Sequence, residues 1–158
     1  MRIQKVSQSC IDLVKAFEGL SLKPYLCPAN VPTIGYGLTL YPNGVRVRMT
    51  DRVISEREAE LYLHEELNKF GKIVDSFTRD DITQHQFDAL TSFCYNVGGG
   101  NLKSSTLLKK VNANPLDPTI KAEFLKWNKG GGKVLDGLTR RRKSESTLYN
   151  TGAVKFVF

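Results

Sequence analysis

The spacing of hydrophobic positions changes several times along the chain, and each change predicts an element. In residues 7–18, Ile11, Val14 and Phe17 recur three apart on one face of a short helix, with Ser7 as its cap. Glu18 closes that helix and Gly19 follows it. Residues 19–50 lose the helical period. Pro24, Pro28, Pro32 and Pro42 fall here with Gly35, Gly37 and Gly44. Thr33-Ile34-Gly35-Tyr36-Gly37 has strand character, Pro42-Asn43-Gly44 signals a turn, and Val45-Arg46-Val47-Arg48 alternates as a strand does. A small antiparallel sheet with a hairpin is expected.

The strongest signal spans 55–77. Ser55 and Glu58 have capping-box spacing, and Ala59, Leu63, Leu67, Phe70, Val74 and Phe77 form one stripe. The stripe predicts a helix of roughly 30 Å, long enough to bridge two lobes. The remainder reads as helical. Thr83 and Gln86 open a segment ending at Gly98-Gly99-Gly100; Ser105–Ala113 is a short helix. Asp117 and Pro118 start another that reaches Trp127 and stops at Gly130-Gly131-Gly132, and Thr139–Asn150 is basic and closed by Gly152. The sum is an α+β fold in one domain over 1–158. A β-rich lobe occupies about 19–54, a connecting helix 55–77, and a larger helical lobe 78–158 together with the helix 7–18.

Composition adds a soluble core and a lopsided charge. The chain is 41% hydrophobic, ordinary for a globular protein. Residues 1–100 carry 11 basic and 12 acidic side chains, whereas residues 101–158 carry 12 and 4. A basic half suits a polyanionic partner: nucleic acid, anionic lipid or acidic cell wall. The aromatic residues do not interleave with a basic stripe, and no nucleic-acid motif is present, so nucleic acid is not expected as a partner. Cys10, Cys27 and Cys94 form no CxxC pair and match no zinc spacing; their odd number fits a reducing compartment, with one disulfide left open. Met1 to Cys10 has no apolar run, and no stretch is long enough to span a membrane, so neither signal peptide nor stable membrane insertion is expected.

Several catalytic motifs fail. His64-Glu65 opens like HExxH, but Asn68 stands where the second histidine belongs. Gly132-Lys133 lacks the rest of a phosphate loop, no serine sits in a GxSxG elbow, and His64 and His85 read as surface helix residues. Glu18 is different. A carboxyl at the last turn of a helix faces the unfavourable end of the helix dipole, and Phe17 and Leu20 are placed to shield it. Both effects favour the proton-carrying form that a general acid needs.

The segment that follows carries a family signature. Glu18-Gly19-Leu20-Ser21-Leu22-Lys23-Pro24-Tyr25, then Cys27, then Thr33-Ile34-Gly35-Tyr36-Gly37 resembles the phage-type lysozymes (endolysins) of glycoside hydrolase family 24. The likeness continues through Gln86–Leu90, Asn96-Val97-Gly98, Ser105–Leu108, Gly132–Leu135 and Arg140-Arg141-Arg142. It implies a lysozyme-like fold and a muramidase that cuts the β-1,4 bond between N-acetylmuramic acid and N-acetylglucosamine in peptidoglycan. The resemblance assigns Glu18 as the acid, Cys27 as the second group and Thr33 as the holder of a water. Most relatives have Asp where Cys27 stands. A thiol at its usual pKa of ~8.5 is only about 3% thiolate at pH 7, a weak base but a strong nucleophile once ionised. A structural cysteine is the alternative. Leu38 replaces a histidine common at that position.

Asn96 and Arg141 are expected to contact substrate, Asn96 through its amide and Arg141 through acidic stem peptides. The alternatives are a helix cap for Asn96 and solvated positions for the arginines; Trp127 is expected in the core. The resemblance implies no metal or cofactor, a monomer, and residence in the host bacterial cytoplasm until a holin, a functional partner without direct contact, opens the route to the wall. Competing readings are a lytic transglycosylase on the same bond and a non-catalytic cationic binding module.

Overall fold

A computed structural model describes residue 3 and residues 5–156. Met1, Arg2 and Gln4, part of the N-terminal stretch read above, lie outside the described residues. Helix α1 (Gln8–Glu18) buries Cys10, Ile11, Leu13 and Val14. Ser7 does not cap it with its side chain. Its backbone N–H donates to Asp88 Oδ1 at 2.9 Å and its hydroxyl to Asp88 Oδ2, so the expected cap is spent on a buried carboxylate instead.

The sheet pairs strands β1 (Ser21–Leu26) and β2 (Pro32–Gly35) in antiparallel register, with Tyr25 opposite Thr33. The segment before Cys27, interrupted by Pro24, thus contains a strand that its composition hides. The register shifts between Ser21 and Tyr25, and Pro24, which has no N–H to give a ladder, sits in that irregularity. The turn at Pro42-Asn43-Gly44 forms, with the Gly44 N–H bonded to the Tyr41 carbonyl at 2.8 Å. Val45–Arg48 makes only an isolated bridge, Leu40 to Arg46, rather than a full strand.

Helix α2 (Glu56–Phe77) begins with the expected capping box, and its buried face is Ala59, Leu63, Leu67, Gly71 and Val74. It packs on both β2 and helix α3 (Gln84–Val97), which carries its own capping box at Thr83 and Gln86. Every residue of α3 from Gln86 to Cys94 is buried. It is therefore the central helix rather than an amphipathic surface one. The triple glycine does not end the helical run: Gly98 breaks it, and α4 (Gly99–Ser104) restarts at once. Helices α5 (Thr106–Ala113) and α6 (Ile120–Leu125) follow, α6 being shorter than its sequence suggests. The second glycine cluster turns a two-residue hairpin, β3 (Lys129–Gly130) with β4 (Lys133–Val134). Helix α7 (Asp136–Thr151) then lies against α3 and ends at the left-handed Gly152. His85 donates to the Tyr149 carbonyl across this contact at 2.9 Å, a structural bond. The architecture is α+β, and the three cysteines are free thiols. Among the described residues, no helix is long and apolar enough to cross a membrane.

Candidate active site

Glu18 reaches its position because α1 stops there. Gly19 turns the chain at φ 70° and hands it to β1. The loop after β2 then passes close by. A Cβ on Gly37 would lie 3.1 Å from Glu18 Oε2, and φ there is +83°, so only glycine lets backbone and carboxylate meet this closely. The two oxygens of Glu18 have different surroundings. Oε2 faces Gly37, while Oε1 accepts a hydrogen bond from Arg141 Nη1 at 2.6 Å. The shielding residues expected from sequence do not perform that job: Leu20 is exposed, and Phe17 packs edge-on against Phe156.

Arg141 is held on every side. It donates from Nε to Glu145 Oε2 at 3.3 Å and from Nη2 to the Ser92 carbonyl at 3.2 Å. Glu145, fully buried, also accepts from Ser92 Oγ at 2.5 Å and from Arg142 Nη1. Arg142 in turn donates to the Trp127 carbonyl at 2.9 Å and to Asn96 Oδ1, with its guanidinium 4.9 Å from the Phe93 ring centroid. One network therefore runs Glu18–Arg141–Glu145–Arg142–Asn96 and ties α1, α3 and α7 together. Of the arginine triplet only Arg140 is exposed; Arg141, buried with its donors taken by Glu18, Glu145 and Ser92, is turned inward rather than toward the expected acidic stem peptides, and neither it nor Arg142 is solvated. The i,i+4 and i,i+3 spacing of Glu145 to Arg141 and Arg142 was the signal in the sequence.

Between the carboxylate and α2 lies a cleft of about 290 Å³, lined by Glu18, Gly37, Glu66, Phe70, Tyr95 and Asn96 among others. Burial, and after it the charges of Glu18 and Glu66, push the Tyr95 phenol far up, keeping it a hydrogen-bond donor; it donates to the Tyr36 carbonyl at 3.1 Å. Asn96 is not the helix cap, a position taken by Gly98. Its oxygen is occupied by Arg142, which leaves the NH₂ end for a ligand. Asn96 also lines an adjoining hollow of about 510 Å³ with Trp127, Lys126 and Lys129; Trp127 itself packs edge-on against Phe93, half-buried. Sequence reasoning missed Tyr95 and Glu66, which look like ordinary members of helical faces.

Cys27 and Thr33 come together at the far end of the β1–β2 hairpin. The Cys27 N–H donates to the Val31 carbonyl at 3.1 Å. Its thiol lies below its usual pKa, chiefly because the Val31 backbone N–H points at it, with further help from the Ala29 backbone. Thr33 sits in β2, only 2% exposed, and its hydroxyl also donates to the Val31 carbonyl at 2.8 Å. This pair is not among the residues lining the cleft at Glu18. Among the described residues, no group of His, Cys, Asp and Glu is arranged to hold a metal ion.

The phage lysozyme family model matches residues 15–145 of the chain. An endolysin of Bacillus phage B103 is 48% identical over 154 residues, covering 96% of this chain and 56% of that protein. An endolysin of Acyrthosiphon pisum secondary endosymbiont phage 1 is 35% identical over 150 residues, covering 92% of this chain and 98% of that protein. Among solved structures, the endolysin from Escherichia coli O157:H7 phage FAHEc1 matches with a TM-score of 0.87 at 32% identity, over 98% of this chain and 99% of that one. The chain spans a little over half the length of the Bacillus phage relatives it matches.

Proposed function

The chain belongs to the phage lysozyme family, and from that premise we propose that it is an endolysin, a muramidase hydrolysing the β-1,4 bond between N-acetylmuramic acid and N-acetylglucosamine in bacterial peptidoglycan. The observation that carries the reading is the Glu18 carboxylate, with one oxygen gripped by Arg141 and the other turned to the cleft beside Gly37.

In the proposed reaction Glu18 gives its proton to the glycosidic oxygen as the bond to the muramic acid C1 breaks. The leaving sugar departs with a free 4-hydroxyl, and C1 passes through an oxocarbenium-like state. The second group acts at C1. Cys27, as thiolate, attacks C1 or takes a proton from the incoming water, and the Thr33 hydroxyl orients that water. By the first route water then displaces the C1–S bond, leaving its hydroxyl on C1 and its proton on Glu18; by the second its hydroxyl adds to C1 and the proton taken by Cys27 returns to Glu18 through solvent. Arg141 acts through Glu18 as a positioning residue, and the Asn96 NH₂ binds the glycan. The reaction as proposed uses no metal or cofactor. The basic half of the chain favours the acidic wall, the enzyme works as a monomer, and a holin gives it passage from the host cytoplasm without touching it.

The test is mass spectrometry of glycan fragments from purified peptidoglycan, with the native chain beside Glu18→Gln. The glutamine keeps an oxygen for Arg141 but has no acid proton. We expect reducing muramic acid ends from the native chain and a rate at least about 10²-fold lower from the variant. Anhydro ends, lighter by one water, would mean transglycosylation. No fragments from either protein would leave the cationic binding module.

A further inference from the structure

Glu66 is the carboxylate of the cleft for which the proposed reaction has no use. It stands on α2, on the same stripe as Phe70, and lines the cleft that Glu18 also lines. Its Oε2 is buried and accepts no hydrogen bond. The cation beside it, Lys69 Nζ, stays 3.5 Å away and gives its own hydrogen bond to the Pro42 carbonyl at 3.1 Å. Among the described residues, the only other buried side-chain polar atom left without a hydrogen-bond partner is the neutral Ser144 hydroxyl. The buried carboxylates Asp88 and Glu145, by contrast, are fully engaged.

A buried carboxylate oxygen without a hydrogen bond is costly to keep, and in a folded core it finds donors. Here it stands at the wall of a cleft, with 20% of the side chain exposed. The surroundings set what can complete it. A carboxylate only accepts, so the missing partner is a donor. Phe70 and the Tyr95 ring, 5.3 Å apart edge to face, supply an apolar surface next to it. An apolar face with donors at its rim describes a pyranose ring with its hydroxyls and acetamido N–H.

We propose that Glu66 is a glycan-binding residue that accepts a hydrogen bond from a sugar hydroxyl or acetamido N–H seated against Phe70 and Tyr95. This rests on the cleft being the glycan site. The charge is shared by both oxygens of the carboxylate, so a donor to either one stabilises the group.

Binding without turnover tests it. A peptide-free tetrasaccharide of alternating N-acetylglucosamine and N-acetylmuramic acid is titrated calorimetrically into Glu18→Gln protein, with and without Glu66→Leu. Loss of a hydrogen bond to a charged group weakens affinity about 10-fold or more, and Glu66→Gln, which keeps one acceptor, lies between. In the native background the same change raises KM by about that factor and leaves kcat within about threefold. Glu66→Leu removes a buried oxygen that accepts no hydrogen bond but also the carboxylate 3.5 Å from Lys69, so its melting temperature changes little. Unchanged affinity in both variants overturns the proposal, and so does a lower melting temperature with unchanged affinity, which makes Glu66 structural. A loss seen only with strands bearing free peptide amines overturns the neutral-donor assignment. Should Glu66→Leu not fold, Glu66→Gln alone decides. An active Glu18→Gln enzyme would sink the acid assignment, and the Glu66 comparison is then decided by KM in the native background.

Discussion

Cys27 carries a thiol that gives up its proton more readily than Cys10 or Cys94, and only the surroundings differ. The Val31 backbone N–H lowers Cys27; burial raises Cys10 well above the usual range and pushes Cys94 up to about 11. Alkylation of the folded protein near neutral pH should therefore mark Cys27 first, with Cys10 and Cys94 protected until unfolding, as peptide mass mapping would show. If thiolate is the working form, kcat/KM climbs with pH through a limb below the ordinary thiol value. Cys27→Asp, charged at lower pH, should keep activity and move that limb toward acid, whereas Cys27→Ala should lose much of the rate. A limb that stays put in Cys27→Asp would assign it to another group. The spacing of Glu18, Cys27 and Thr33 was legible in the sequence. The N–H that tunes Cys27 was not, because a backbone donor belongs to the loop's path and not to any residue type.

Two serines before helices read alike in the sequence and play different parts. Ser55 closes a capping box with Glu58, so Ser55→Ala should cost about 1 kcal/mol in urea unfolding. Ser7 instead serves Asp88, and Ser7→Ala removes a donor from a buried carboxylate, at about 1–3 kcal/mol. Equal costs would contradict that distinction. Glu58 adds a pH prediction. Hydrogen bonds from Arg52, then Ser55, lower it to about 2. A depressed carboxyl stabilises above its unfolded value and loses that contribution as pH falls through the folded one, so the start of α2 should hold near pH 4 and fray near pH 2. Hydrogen exchange at the α2 N-terminus reads this directly. Periodicity exposed α2 because one face is buried and one is wet. It hid the character of α3, where burial on all sides erases the contrast, and it hid β1, where Pro24 masks a strand.

The charge excess of residues 101–158 is smaller at the surface than in the composition. Arg141 and Arg142 are neutralised inside the network, and Lys110 and Lys126 pair with Glu123. What remains exposed is spread over several elements rather than gathered in a single strip. The buried network holds the molecule together at its centre. Glu145→Ala would leave Arg142 without a carboxylate and Arg141 with Glu18 alone, and removing one partner of a buried ion pair costs about 3–5 kcal/mol. The melting temperature should fall on the order of 10 °C. A drop of a degree or two would mean that water or Glu18 makes up the loss. The triplet Arg140-Arg141-Arg142 shows where sequence reading stops: helical geometry says the three diverge, and only packing against Ser92 and Phe93 decides which two turn inward.

Glu18 and Arg141 are 123 residues apart in sequence yet share a 2.6 Å hydrogen bond. Translation delivers the carboxylate early and its clamp late. While a ribosome still holds α7 in its tunnel, the nascent chain has the acid and no arginine to hold it in place. The contact is completed only by α7, so a chain cut short before it leaves Glu18 unclamped however well α1 and the sheet fold.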